Sequence, residues 1–248
     1  MLEIKNFSFS YQDKIIFHNL NINFNSSNFI GLMGKNGCGK STLIKCIINL
    51  LSYKGEISFK NKNLKLLNHK ELSNLISYVP QKSNQFMPIS VSDFIMMGLF
   101  STKNSFYIQN DYKKLDEIME FLNIQNYKNN LTNNLSGGEF AKVMLARALI
   151  KKPKILLLDE ICAPLDINYS IFLMQLLKDL AKEGLLILMV IHDLFTSIRF
   201  CDEIAFVKDQ NILFYDKTKI VFNKENIKNI FEFDCDIYEN KNNLNVIF

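Results

Sequence analysis

The sequence predicts an α/β fold with a mostly parallel core sheet, an N-terminal antiparallel β part and an inserted helical part. Three observations carry this. The apolar runs Phe29 to Met33, Ile155 to Asp159 and Leu185 to Ile191 have the length of strands buried on both faces. They alternate with helix-compatible stretches, the rhythm of strand–helix–strand units. The first 30 residues instead alternate polar and apolar positions, as half-buried antiparallel strands do.

Element by element, Leu2 and Ile4 share one face while Phe7, Phe9 and Tyr11 share another. The two sets are out of phase, so a bulge is expected near Asn6. Leu20, Ile22 and Phe24 alternate again. Gly55 to Phe59 reads as a strand, His69 to Leu75 as a short helix, and Ile76 to Val79 as a strand ending at Pro80-Gln81. Residues 82–134 are more polar, with helical patches at Val91 to Leu99 and Asp111 to Leu122. In the second patch Tyr112, Leu115, Ile118, Met119 and Leu122 fall on one helical face. Beyond Ile155 to Asp159 come a helix over Asn168 to Lys182, a strand over Leu185 to Ile191 and a helix over Leu194 to Phe200. Glu203 to Lys208 and Ile212 to Tyr215 form a hairpin. The expected organisation is one domain: an antiparallel part (1–30), a core (31–81), a helical subdomain (82–150), a second core stretch (151–215) and a tail (216–248).

The bulk numbers exclude several classes. At 248 residues, 48% hydrophobic and 22% charged, the chain is ordinary globular protein rather than a disordered one. A net charge of +4 spread along the chain makes no nucleic-acid patch. The longest apolar run, Leu185 to Ile191, falls far short of the roughly 20 residues that cross a bilayer. The opening Met1 to Lys5 is no signal peptide. Five cysteines, odd in number and without C-x-x-C spacing, read as free thiols of a reducing cytoplasm and not as a metal site.

Chemistry enters at Gly34-Lys35-Asn36-Gly37-Cys38-Gly39-Lys40-Ser41-Thr42, the G-x-x-x-x-G-K-[ST] phosphate loop. Glycines let the backbone curl so that successive N–H groups face anionic oxygens. Lys40 is placed to reach β- and γ-phosphates, and the Ser41 hydroxyl to ligate Mg²⁺. An apolar strand precedes the loop and a helix follows it, so its glycines open onto a helix N-terminus that favours negative charge.

A second candidate anion site is Leu135-Ser136-Gly137-Gly138-Glu139, ahead of the helical run Phe140 to Ile150. Ser136 caps, and Gly137 and Gly138 let a phosphate approach the backbone. Taken alone the segment fits an ordinary helix start equally well. A third motif is the apolar run Ile155 to Leu158 ending in Asp159-Glu160. Two acids at such a strand end suit a metal-orienting carboxylate, Asp159, and a general base for water, Glu160.

Together and in this order the motifs resemble the nucleotide-binding subunit of ATP-binding-cassette (ABC) transporters, a P-loop NTPase fold (the ABC ATPase), over essentially the whole chain. Leu135-Ser136-Gly137-Gly138 is similar to the family's signature. The resemblance implies that Tyr11 stacks on adenine and that Gly34 to Thr42 is the Walker A loop. It makes Gln81 the Q-loop glutamine, a Mg²⁺ ligand, and Asp159 and Glu160 the Walker B pair. Ala163-Pro164-Leu165-Asp166 becomes the D-loop and His192 the switch histidine. Glu139 stands where glutamine is commoner, Ile161-Cys162 where Pro-Thr is usual, and Lys142 where arginine is usual.

The cofactors implied are ATP and Mg²⁺. The partners implied are a second copy closing a nucleotide-sandwich homodimer, membrane permease subunits at the cytoplasmic face of the inner membrane, and indirectly a substrate-binding protein; nucleic acid is not among them. A permease helix would dock beside Phe86-Met87-Pro88-Ile89-Ser90-Val91, running to Phe94, a segment that equally fits a local core. Ile89 to Phe94 with Met97-Gly98, and Ile191-His192-Asp193-Leu194, look like importers of iron–siderophore, haem or cobalamin. Zinc or manganese importers are the nearest rival, and an ABC ATPase outside transport a further one.

Overall fold

In chain order the elements are β1 (Leu2–Tyr11), β2 (Lys14–Phe24), β3 (Phe29–Met33), α1 (Lys40–Ile47), β4 (Lys54–Phe59), β5 (Lys62–Asn63), α2 (His69–Leu75), β6 (Ile76–Val79), α3 (Val91–Met96), α4 (Gln109–Phe121), α5 (Gly137–Leu149), β7 (Ile155–Asp159), α6 (Ile167–Lys182), β8 (Leu186–Val190), α7 (Leu194–Phe200), β9 (Glu203–Lys208), β10 (Asn211–Lys217), α8 (Thr218–Val221), α9 (Lys224–Phe231), β11 (Asp236–Asn240) and β12 (Asn243–Ile247). They come from a computed structural model that describes residues 1–25, 27–81, 88–102, 107–162, 165–240 and 243–247. The chain forms two units, Met1–Leu67 with Leu173–Phe248, and Asn68–Phe172, dividing within α6.

In the first unit the alternation at the N-terminus becomes antiparallel sheet, in the order β2-β1-β4-β5. The break in phase is a bulge: the β1–β2 register shifts between Ile4 and Phe7, and Asn6 is left-handed at φ 49°. The Asn21 side chain accepts the Asn6 N–H at 2.9 Å. The bulge turns Phe7 inward, where it meets Phe17 with ring centroids 5.5 Å apart, both fully buried. Each such side chain contributes about 1.5–3 kcal/mol by leaving water.

The wholly apolar runs behave as their composition demands. All five residues of β3 are buried, and so are all five of β8. β3 pairs parallel with β8 on one side and β9 on the other. β9 and β10 form the expected hairpin. The tail folds into α8, α9 and the β11–β12 hairpin, which periodicity alone did not predict.

In the second unit β6 and β7 run parallel, Ile76 opposite Ile155 and Val79 opposite Leu158. Ser77 Oγ donates to the Ala148 carbonyl at 2.5 Å, tying β6 to α5. The helix expected to Leu99 ends at Met96 and tightens into a 3-10 turn over Met97–Thr102, where Gly98 has low helix propensity. α5 begins three residues earlier than the apolar pattern, at Gly137, because Ser136 and Glu139 form a capping box. Among the described residues, no helix is long and apolar enough to cross a membrane.

Candidate functional site

The first unit carries the phosphate loop. β3 delivers the chain to Gly34, whose φ of +148° suits glycine, and a Cβ there would sit 2.3 Å from the Val207 carbonyl oxygen. Gly39, at φ 110°, is the N-cap of α1. It has no side chain to cap with, so no hydroxyl or carboxylate of the N-cap residue covers the helix start. Lys40 is buried, 5% exposed. Its ammonium donates to the Gly34 carbonyl at 2.8 Å and the Lys35 carbonyl at 3.0 Å, with Cys38 Sγ at 3.7 Å. The charge is thus held inside the curl of the loop by the loop's own carbonyls. Gly37 has open space around it, Lys35 and Asn36 are exposed, and Ser41 and Cys38 are half-buried. Thr42 is buried under the loop.

Three other features of this unit matter. Tyr11 ends β1 and is 45% exposed, its ring held edge-on by Phe9 at 4.8 Å. His192 is exposed just after β8 and lines a cavity of about 430 Å³ with Phe195, Phe231 and Phe233. Lys35 of the loop pairs with Glu232, the left-handed C-cap of α9. That partner holds the Glu232 carboxyl below its usual range. Nothing in the sequence signals this pair, which joins residues far apart in the chain.

The second unit carries the acids and the signature. Asp159 ends β7 and is 3% exposed. Tyr78 on the neighbouring strand hydrogen-bonds to it; burial first, and then this acid, push the Tyr78 hydroxyl up to about 12. At Glu160 the backbone turns left-handed, φ 55°, a conformation that costs a non-glycine residue about 1–2 kcal/mol. Asp159 therefore stays in the sheet while Glu160 turns out and is half-buried. The Gln81 amide donates to the Glu160 carboxylate, so these two predicted residues are in contact. Ser136 caps α5, and the Glu139 carboxylate accepts from the Ser136 N–H and hydroxyl, both at 2.8 Å. Those bonds, the backbone one first, hold its pKa low. Gly137 is exposed beside it and Gly138 half-buried.

Of the D-loop, Ala163 and Pro164 lie outside the described residues, as do Phe86 and Met87 of the expected docking segment. Asp166 accepts from Tyr169 N–H at 2.9 Å as the start of α6. Val91 is fully buried and Phe94 packs on Phe140, so that part of the segment belongs to a local core. Sequence reasoning missed a cavity of about 420 Å³ near it, lined by Tyr78, Met97, Phe100, Arg147 and Lys151. Burial, and then Arg147, lower the Lys151 pKa to about 8.

Comparison with known proteins fits this geometry. Residues 17–163 match the protein family described as ABC transporter. A Helicobacter pylori protein named "Probable iron chelatin transport ATP-binding protein" is 31% identical over 94% of this chain and 93% of its own. The zinc import ATP-binding protein of Buchnera aphidicola is 37% identical over 78% of this chain and 74% of its own. A dimeric ATP-binding cassette in a post-hydrolysis state, bound to ADP and Pi, superposes with a TM-score of 0.76 at 28% identity, covering 88% of this chain and 99% of that one. The chain belongs to the ABC transporter family and is an ATP-binding, ATP-hydrolysing subunit of it.

Proposed function

We propose that two copies of this chain clamp two ATP molecules, each between the phosphate loop of one copy and the Ser136–Glu139 turn of the other, and that hydrolysis drives import of an iron complex or cobalamin through a permease. The observation that carries the clamp is the pair of helix starts, α1 after Gly39 and α5 after Ser136, each presenting backbone N–H groups.

In this reading the first α1 N–H groups and Lys40 hold the triphosphate, and Lys40 exchanges its carbonyl partners for phosphate oxygens. Tyr11 stacks on adenine. The donor set of Ser41 hydroxyl, Gln81 amide oxygen and Asp159 carboxylate is all oxygen, which suits Mg²⁺. Held by these residues, Mg²⁺ would supply positive charge to offset that of the transferring phosphoryl group. Glu160 takes a proton from the attacking water, and Gln81, already bonded to that carboxylate, holds it in place. His192 donates to the γ-phosphate. The subunit sits peripherally on the cytoplasmic face of the membrane, with the second-unit cavity at Arg147 and Lys151 beside the permease and a substrate-binding protein supplying cargo. The iron reading leans on the Helicobacter pylori relative; the Buchnera aphidicola relative favours zinc as the second reading.

Deleting the gene in its own cell and measuring uptake tests the cargo. Loss of iron-chelate or cobalamin uptake with zinc uptake intact supports the first reading; loss of zinc uptake alone replaces it. Magnesium-dependent ATP hydrolysis that disappears in Lys40→Ala tests the site.

A further inference from the structure

The residue after the two signature glycines is an acid, and its contacts give it a second effect besides capping. Glu139 Oε2 accepts from the Ser136 backbone N–H and from the Ser136 hydroxyl, both at 2.8 Å. The Glu139 N–H donates back to Ser136 Oγ at 3.3 Å. Tyr127 hydrogen-bonds to the same carboxylate. Lys142, one turn along α5, lies near enough to act on it electrostatically, yet its ammonium sits 3.7 Å from the centre of the Tyr169 ring. The donor that the turn would offer a phosphate, the Ser136 hydroxyl, is therefore already given to a carboxylate. A full negative charge also stands at the helix start that an anion must approach. Glutamate and glutamine both complete a capping box at this position. The charge is thus separable from the cap.

We propose that Glu139 is a built-in competitor of the γ-phosphate at this turn: its carboxylate holds the Ser136 hydroxyl and repels the incoming triphosphate, and so sets the ATP concentration at which two copies close. This rests on reading Ser136–Glu139 as the nucleotide-clamping segment. Glu139 acts through Ser136 and through its charge, and is a positioning residue. A closing ATP must draw the hydroxyl away from the acid, which then keeps the Ser136 N–H and Tyr127. The chain thereby closes at higher ATP than it would with a neutral side chain.

The test uses the full chain carrying Glu160→Gln, with and without Glu139→Gln. Light scattering over an ATP series with Mg²⁺ gives the ATP concentration for half-dimerisation. Like-charge repulsion at a partly exposed site predicts that Glu139→Gln lowers that concentration on the order of 3–10-fold. The gap shrinks in about 1 M salt, where the Debye length is about 3 Å. The melting temperature falls by only about a few degrees, because the box survives and only the charge in the first turn of α5 is lost. A role confined to capping lowers the melting temperature of Glu139→Ala and leaves the ATP curve of Glu139→Gln on that of its parent; that result overturns the proposal. Ser136→Arg separates the two layers. If it abolishes ATP-driven dimerisation while Glu139→Gln changes nothing, only the proposal falls. If Ser136→Arg dimerises normally, or the Glu160→Gln chain forms no dimer at saturating ATP, the reading of the turn falls and the proposal with it.

Discussion

The phosphate loop and the signature turn both place glycine at a helix start, Gly39 as the N-cap of α1 and Gly137 and Gly138 as the first residues of α5, but they are built in opposite ways. The loop is anchored in the core of its unit at both ends. Lys40 is nearly buried, and Gly34 lies so close to the Val207 carbonyl that no Cβ fits. The turn lies at the surface of the other unit, with Ser136 and Gly137 exposed, shaped by hydrogen bonds between Ser136 and Glu139 and from Tyr127. Altering the loop's buried anchors, Gly34 and Lys40, costs the fold more than altering the exposed turn. The contrast suits the proposed site, in which one half binds the nucleotide first and the other must meet it and leave.

The largest effect expected tests the chemistry that both halves serve. Glu160→Gln removes the base and slows hydrolysis about 10²–10⁴-fold, the usual worth of a positioned base. ATP binding persists; a steady-state phosphate-release assay near the unaltered rate removes Glu160 from that role. Next in size is the loop itself. Alkylation of Cys38, whose sulfur lies 3.7 Å from the Lys40 ammonium, blocks ATP binding, and bound ATP protects the thiol. Mass spectrometry confirms modification and a fluorescent-nucleotide titration reads affinity; unchanged affinity breaks the loop side of the comparison.

Two substitutions then sharpen the contrast in stability. Gly34→Ala forces a left-handed alanine against the Val207 carbonyl and costs about 2–4 kcal/mol from backbone strain and overpacking, read by urea unfolding. Ser136→Ala loses a cap, about 1 kcal/mol, and lowers Tm by about 2–4 °C in a chain of this size. Equal losses at the two sites would erase the distinction between built-in loop and surface turn.

The motifs were legible in the sequence because their chemistry is local. A phosphate loop needs its glycines, lysine and hydroxyl at fixed spacing, and the fold around Gly34 to Thr42 has no freedom to spell it otherwise. The bulge at Asn6 was legible too, since a change of phase between Ile4 and Phe7 has one cheap explanation in a strand. What stayed hidden depends on residues distant in sequence, or on pairing without an apolar signature. Lys35 with Glu232 is a contact across nearly the whole chain. Tyr78 reaches Asp159 only because β6 and β7 lie side by side. β12 alternates over Asn243, Leu244, Asn245 and Val246, but the run is short and its partner β11, Asp236–Asn240, does not alternate, so the hairpin they form has only a weak signal. The start of α5 was legible as a cap at Ser136; the reciprocal bond from Glu139 follows from the same Ser-x-x-Glu spacing and went unread there.

The claim on which the rest depends is that ATP is held between two copies. Light scattering of the Glu160→Gln chain with and without Mg²⁺-ATP measures it directly. The account predicts a particle of 28.8 kDa without nucleotide that doubles in mass with it. A chain that binds ATP to saturation and keeps the mass of a single copy contradicts it.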